Sequence, residues 1–301
     1  MSHDPRPERG VSIVVPAFDE DRGLEGVVRR LLALDLGRPT ELVVVDDGSR
    51  DATGKKLDAL AAAEPRIRAV HHPRNLGYGA ALKTGISRAT YDVVVITDAD
   101  GTYPEDRIVE LLAAVDDGAD MAVGARIGAD VHIPLVRRPA KAVLRWIAQY
   151  LAGTPIPDLN SGMRAMRKEL VLAYRSVLPQ GFSFTTTITL AALTNGHRVD
   201  YIPIDYAARE GRSKIKPIRD TLGFLALILR TVLYFNPLRI FYPLSLGVLL
   251  LFVLSLGYDI FLVEPAPNLG DKTVLLFVAF MQTLSLGLVA DLIDKKARLG
   301  R

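Results

Sequence analysis

The sequence predicts an α/β domain, a mainly parallel sheet flanked by helices, followed by a C-terminal hairpin of two transmembrane helices. Three observations carry this reading. Between Val11 and Ala125 short β-branched runs alternate with segments of helical period, the pattern of a twisted parallel sheet covered on both faces. Two of those runs stop abruptly in paired carboxylates, Asp46-Asp47 and Asp98-Ala99-Asp100, which places acidic groups on the sheet edge where open α/β sheets bind ligands. Hydrophobic residues make up 49% of the 301 residues, and the excess gathers after about Thr221, so a boundary falls there.

Val11 to Val15 is a continuous apolar run stopped by Pro16, the signature of a first buried strand. After the loop Ala17-Phe18-Asp19-Glu20, the residues Leu24, Val27, Val28, Leu31 and Leu32 follow helical spacing. Leu42 to Val45 repeats the strand signal, and a helix follows from about Asp51 to Ala62 with Ser49 as its candidate cap. A weaker strand near Arg68 to His71 leads through Asn75-Leu76-Gly77-Tyr78-Gly79 into a helix carrying Lys83. That glycine pattern lacks the third glycine of a dinucleotide fingerprint and does not follow the first strand, so it reads as a tight turn. Val93 to Ile96 forms the next strand; its helix begins near Pro104, with Thr102 and Glu105 at capping-box spacing. Met121 to Ala125 is a further short strand.

Between Pro134 and Leu151, Arg138, Lys141 and Arg145 share one helical face while Val143, Leu144, Ile147 and Leu151 supply an apolar one. A basic amphipathic helix suits either solvent or a membrane surface, and the later segments favour the membrane. Asp158 to Arg164 is a polar turn, Gly181 to Phe184 introduces a helix to about Asn195, and Val199 to Ile204 is a strand. Leu222 to Tyr234, interrupted by Arg230, is an interfacial helix. Ile240 to Val263 and Thr273 to Ile293 each approach the ~20 residues that span hydrocarbon. Arg219, Arg230 and Arg239 precede the first span and Lys295, Lys296, Arg298 and Arg301 follow the second, against Lys272 alone in the connecting loop. The positive-inside rule then puts both termini and the globular part on the cytoplasmic face of an integral membrane protein. The polar stretch Met1 to Gly10 has no apolar core of a secretory signal. The expected organisation is a globular domain over 1–215, a juxtamembrane amphipathic helix over 216–239, and two spans with a basic tail over 240–301.

Lys and Arg number 37 against 34 Asp and Glu, a net charge of +3 that is too balanced to mark a nucleic-acid binder. With no cysteine, disulfides and thiolate metal sites are excluded. His71, His72, His132 and His197 match no metal or triad spacing. The acidic strand ends carry the chemistry instead. Asp98 and Asp100, one residue apart, would repel each other, so a divalent cation shared with a phosphate is their natural occupant. Arg209-Glu210-Gly211-Arg212-Ser213-Lys214 is dense in donors that suit a pyrophosphate or a lipid phosphate.

Pro16 to Glu20, Asp46-Asp47-Gly48-Ser49, Asn75 to Gly79, Asp98-Ala99-Asp100, Gly124-Ala125-Arg126, Ser161-Gly162-Met163-Arg164 and Arg209 to Lys214 occur in an order that resembles the family 2 glycosyltransferases of GT-A fold. Within that family the chain is similar to the polyprenyl-phosphate sugar synthases, the dolichol-phosphate mannose synthase type. The resemblance implies that Pro16, Ala17 and Glu20 line the nucleotide, with Asp47 beside them and Lys83 on the donor side. It implies Asp98 near the ribose and sugar, and Asp100 holding Mg2+ or Mn2+ on the donor pyrophosphate. Arg126, Ser161, Arg164, Arg209, Ser213 and Lys214 would face the donor phosphates, the sugar or the lipid phosphate, and Asp98, Asp100, Arg126 and Arg164 form the implied catalytic set. Relatives commonly carry Asn where Asp19 stands, Gln where Thr102 stands, and an acidic residue near Thr185 to Thr187. Thr102 therefore stays open between metal ligand and helix cap.

The activity so implied is inverting, metal-dependent transfer of a sugar from a nucleotide-sugar, of the GDP-mannose, UDP-glucose or UDP-GlcNAc type, to a polyprenyl phosphate at the bilayer surface. A homo-oligomer is compatible with the family. Two alternatives stand beside it: a membrane glycosyltransferase of polysaccharide synthesis, and a non-catalytic scaffold or flippase partner. The first usually carries Gln-x-x-Arg-Trp, whereas Ala142 precedes Arg145-Trp146 here.

Overall fold

The computed structural model describes residues 10–127, 146–150, 152–181, 183–206, 217–261 and 269–299. The chain divides into two compact units, Met1–Leu227 and Ile228–Arg301. The first unit contains strands β1 (Val11–Ala17), β2 (Thr40–Asp46), β3 (Ile67–His71), β4 (Val93–Ile96), β5 (Met121–Arg126), β6 (Arg164–Arg167) and β7 (Val199–Ile204). Its helices are α1 (Leu24–Ala33), α2 (Thr53–Ala63), α3 (Tyr78–Arg88), α4 (Ile108–Asp116), α5 (Lys168–Tyr174) and α6 (Phe184–Thr194).

The strands form one sheet in the order β3-β2-β1-β4-β6-β5-β7. Its centre is parallel: Val11 faces Thr40 of β2 and Val93 of β4, and Ala17 ends level with Asp46. β6 runs antiparallel between β4 and β5, and β5 pairs parallel with β7. The expected mainly parallel α/β sheet is therefore present, with one strand that sequence reading passed over. Arg164-Ala165-Met166-Arg167 has no β-branched residue, so its strand character comes from filling the slot between β4 and β5 rather than from local preference.

Alternate strand residues face opposite helical layers, as a period of two requires. Ile13, Val15, Leu42, Val44 and Val95 pack with Leu24, Val28 and Leu31 of α1 and Leu111 of α4. Val14, Val43, Val45, Val94 and Ile96 pack with Leu82 and Ile86 of α3 and with Phe184 and Ile188 of α6. At Gly85 of α3 an added Cβ would lie 2.4 Å from Val14 Cγ1. Glycine there lets the helix backbone settle directly on the sheet.

Two capping expectations are corrected. Ser49 does not cap α2: its Oγ accepts from the Asp19 amide, and its own amide donates to Asp46 Oδ1. Thr102 and Glu105 form no capping box. The Thr102 hydroxyl donates to Asp100 Oδ1, and the Glu105 carboxylate takes both Nε and Nη2 of Arg30. Glu105 instead begins a short 3-10 turn, Glu105–Arg107, ahead of α4. A buried carboxylate with a guanidinium in reach makes the stronger charge-assisted pair.

Helix α7 (Pro217–Phe235) covers the expected interfacial segment and crosses the division between the units. In the second unit α8 (Leu238–Phe261) and α9 (Asp271–Leu299) form a hairpin. Phe252 and Phe277 meet with ring centroids 5.3 Å apart, and Gly287 admits Phe241 so closely that a Cβ there would lie 2.6 Å from the Phe241 Cβ. Leu238–Phe261 and Asp271–Ile293 are long and apolar enough to cross a membrane, and only 6% and 11% of their most apolar windows are buried within the molecule. So exposed an apolar surface is what lipid, not a protein core, would cover. The basic helix around Arg138, Lys141 and Arg145 lies outside the described residues, except for its end at 146–150, where Trp146 stacks on Tyr150.

Candidate active site

The topology brings the motifs together. β1, β2, β4, β5 and β7 point the same way, so Pro16-Ala17, Asp46-Asp47, Asp98-Asp100, Arg126 and Tyr206 all lie at or just beyond their C-terminal ends. β6 runs the other way, so Ser161, Gly162 and Arg164, which precede and open it, arrive at the same edge.

The acidic loop after β4 is tightly built. Asp100 Oδ1 accepts from the amide of Thr102 at 3.1 Å and from its hydroxyl at 2.7 Å, while Gly101 sits at φ +71°. Thr102 is thus the internal brace of the loop, buried at 3% exposure. The loop also rests on the start of α1, where a Cβ on Gly23 would come within 2.6 Å of the Ala99 carbonyl. Asp98 receives the Tyr78 hydroxyl at Oδ1, 2.9 Å away. On its other side lies Gly162, where a Cβ would approach Asp98 Oδ2 to 2.7 Å.

Asp47 serves the same assembly indirectly. Its Oδ1 accepts from the Leu76 amide at 2.9 Å and lies 2.7 Å from His72 Nδ1; its Oδ2 accepts from the Gly77 amide at 2.8 Å. The side chain is almost wholly buried. Asp47 therefore clamps the turn that opens α3 with Gly77 at φ +103°. Asp19, the one described non-glycine residue with positive φ (+54°), closes the loop after β1, its Oδ1 accepting from the Arg50 amide. Asn and Asp both tolerate this conformation better than other non-glycine residues.

Arg126 and Asp158 form a two-pronged ion pair, with Nε to Oδ2 at 2.7 Å and Nη2 to Oδ1 at 3.0 Å, and the Arg126 amide also donates to Oδ2. Burial disfavours both charges, yet the mutual hydrogen bonds prevail: Arg126 is held more basic than usual and Asp158 more acidic. The guanidinium lies over the Tyr206 ring, 5.1 Å from its centroid, and Tyr206 meets Tyr103 edge-on at 5.1 Å. Tyr103 in turn accepts the Gly162 amide at 2.7 Å.

Arg164 departs furthest from expectation. It is fully buried, and its guanidinium donates to the carbonyls of Ser161, Leu159 and Thr185 and to the Thr189 hydroxyl. It ties the Leu159-to-Ser161 turn to α6. Desolvation lowers its affinity for its proton. Thr186 completes the same tie through Asn160 Oδ1 at 2.6 Å, so threonines here brace a turn. Ser161 is likewise buried. Lys83 donates to the Leu178 carbonyl at 2.9 Å and serves as a tether of α3. Glu20 takes the Thr53 hydroxyl as acceptor for its amide at 2.9 Å, which fixes the loop after Ala17. Arg209, Ser213 and Lys214 lie outside the described residues.

Sequence reading missed Tyr78, Tyr103, Asp158 and Tyr206 as site residues. Each stood inside or beside a quoted motif, and the available signal was an aromatic or acid flanking glycine and carboxylate. Their partners, however, are 20, 59, 32 and 103 residues away along the chain.

The GT-A-like mixed sheet, with acidic residues at one edge, and the apolar helical hairpin are the fold; the class, a glycosyltransferase with two candidate membrane spans, comes from the family matches. The chain belongs to glycosyl transferase family 2, whose model matches residues 12–175, and the GtrB C-terminal hairpin matches 236–295. The polyprenol monophosphomannose synthase of Mycolicibacterium smegmatis is 34% identical over 70% of this chain and 82% of its own length. The undecaprenyl-phosphate 4-deoxy-4-formamido-L-arabinose transferase of Pseudomonas savastanoi pv. phaseolicola is 30% identical over 97% of this chain and 87% of that protein. Among solved structures, glucosyl-3-phosphoglycerate synthase from Mycobacterium tuberculosis with Mn2+, UDP and phosphoglyceric acid superposes with a TM-score of 0.57 at 23% identity, covering 74% of this chain and 78% of that one. Its complex with Mg2+ and UDP gives a TM-score of 0.55 at 25% identity, covering 75% and 78%.

Proposed function

We propose that this glycosyltransferase moves a sugar from a nucleoside-diphosphate sugar to a polyprenyl phosphate at the cytoplasmic face of a membrane, with a divalent cation and with inversion at the anomeric carbon. The observation that carries the reading is the placement of Asp98 and Asp100 directly after β4, beside the β1 and β2 ends, in a chain that also carries two exposed apolar helices. The relatives from Mycolicibacterium smegmatis and Pseudomonas savastanoi, a polyprenol monophosphomannose synthase and an undecaprenyl-phosphate sugar transferase, support the polyprenyl-phosphate acceptor.

Among the described residues no group of three or more His, Cys, Asp and Glu side chains converges on a point. A cation would therefore be held by Asp100, with Asp98 nearby, and would draw its other ligands from the donor diphosphate, which fits the pair's position at the loop tip. When bound, it neutralises charge developing on the diphosphate leaving group. Asp98, held by Tyr78 and walled by Gly162, faces the sugar side. The Arg126–Asp158 pair places a guanidinium on the same edge, suited to anionic phosphate oxygens. A lipid phosphate is already anionic at neutral pH, so its oxygen attacks the anomeric carbon without a general base. The new C–O bond forms as the bond to the nucleoside diphosphate breaks, and that diphosphate leaves with the electron pair.

Purified protein in detergent, given polyprenyl phosphate and a panel of labelled GDP- and UDP-sugars with Mn2+ or EDTA, tests the reading. Label should enter the lipid extract only with the metal. Polymer formation would favour polysaccharide synthesis, and no turnover with any donor would overturn the proposal.

A further inference from the structure

We infer that Tyr78 is a positioning residue for sugar transfer: its hydroxyl fixes the orientation of the Asp98 carboxylate at the donor site. The inference deepens the proposed function and rests on it.

Three observations converge on this hydroxyl. It lies 2.9 Å from Asp98 Oδ1 as donor to a carboxylate just beyond the end of β4. The far side of Asp98 is closed by Gly162, where even a Cβ would come within 2.7 Å of Oδ2. The carboxylate is therefore gripped from both sides. Finally, the backbone beneath Tyr78 is held from several directions. Asp47 takes the amides of Leu76 and Gly77, Ala80 donates to the Gln180 carbonyl at 2.9 Å, and a Cβ on Gly79 would lie 2.3 Å from the Pro179 carbonyl.

A tyrosine needed merely to fill space would not require this anchoring of its first helical turn. The ring could pack from several backbone positions, whereas a hydroxyl aimed at one oxygen of one carboxylate tolerates little drift. Burial keeps the phenol protonated, so it acts only as a donor toward Asp98. Rotamer freedom lost by Asp98 in the resting protein need not be lost when the donor binds, which is how a preorganised group contributes to rate.

Tyr78→Phe removes the hydroxyl and keeps the ring. The expected result is a fall in kcat of roughly 10-fold to 100-fold, the range for a hydrogen bond to a charged group, with nucleotide binding weakened alongside it and the thermal melt unchanged. The double variant Tyr78→Phe/Asp98→Asn should be no slower than Asp98→Asn alone, because the hydroxyl acts only through that carboxylate. Additive losses, or a wild-type kcat in Tyr78→Phe, would overturn the inference while leaving the transferase reading intact. Should wild type transfer no sugar, calorimetry with UDP and GDP in Mn2+ still decides. Nucleotide binding weakened in Tyr78→Phe but not further weakened in the double variant supports the positioning role, and equal binding to wild type and Tyr78→Phe refutes it.

Discussion

Arg126 and Asp158 hold each other by two parallel hydrogen bonds across 32 residues of chain, at 2.7 and 3.0 Å, at the edge of the sheet. The pair is mostly buried, with side-chain exposures of 23% and 11%. This converts a turn that looked merely polar in sequence into the mount for a cation.

The pair makes stability depend on pH. The folded pKa of Asp158 lies below its unfolded value, so its contribution is fully present above ~4 and is lost as pH falls through the folded value. Thermal melts from pH 7 to pH 3 should show a wild-type decline in that acid window that is shallower in Asp158→Asn. At pH 7 the variant should be less stable by about 3 kcal/mol, since Arg126 is left uncompensated. Parallel wild-type and variant curves would refute this.

Arg164→Ala should destabilise the first unit by roughly 3 kcal/mol or more, because the buried carbonyls of Leu159, Ser161 and Thr185 lose their donor. Arg164→Lys should rescue little, since one ammonium cannot span the same acceptors. Urea unfolding followed by circular dichroism measures both. A stable but inactive Arg164→Ala protein would instead favour a direct role at the substrate.

Asp100→Ala should lower transfer by roughly 100-fold or more, the scale of losing a charge-stabilising cation, while the melt stays within a few degrees of wild type. Its residual activity should no longer respond to added Mn2+. Transfer at the wild-type rate would remove Asp100 from the metal site.

In the second unit Asp259 Oδ2 accepts from the Gly270 amide at 2.8 Å and the Thr273 hydroxyl at 2.6 Å, joining the end of α8 to the start of α9. Asp259→Ala should lower the melting temperature of the detergent-solubilised hairpin and leave transfer by the folded fraction unchanged. Limited proteolysis near the connection should speed up in parallel. An unaltered cleavage rate would show that the latch is dispensable.

Strands β1, β2, β4 and β5, the acidic ends of β2 and β4, and the apolar hairpin were legible because each rests on local pattern. A β-branched run bounded by Pro or Asp reads as a buried strand wherever it stands, and some 20 apolar residues are long enough to cross a bilayer. Asp98 and Asp100 were readable for the same reason, since a strand end carries its residues to a fixed edge. Tertiary structure alone decided the partners of the polar side chains. Arg164 is buried where β6 fills the slot between β4 and β5, and its partners are carbonyls of the preceding turn and of α6; Asp47 holds the α3 turn that folds back onto it. Glu105 gave up a local cap for Arg30, 75 residues away. Hydrogen bonds of this kind are set by which loops the sheet order makes neighbours, and that information resides in no window of the sequence.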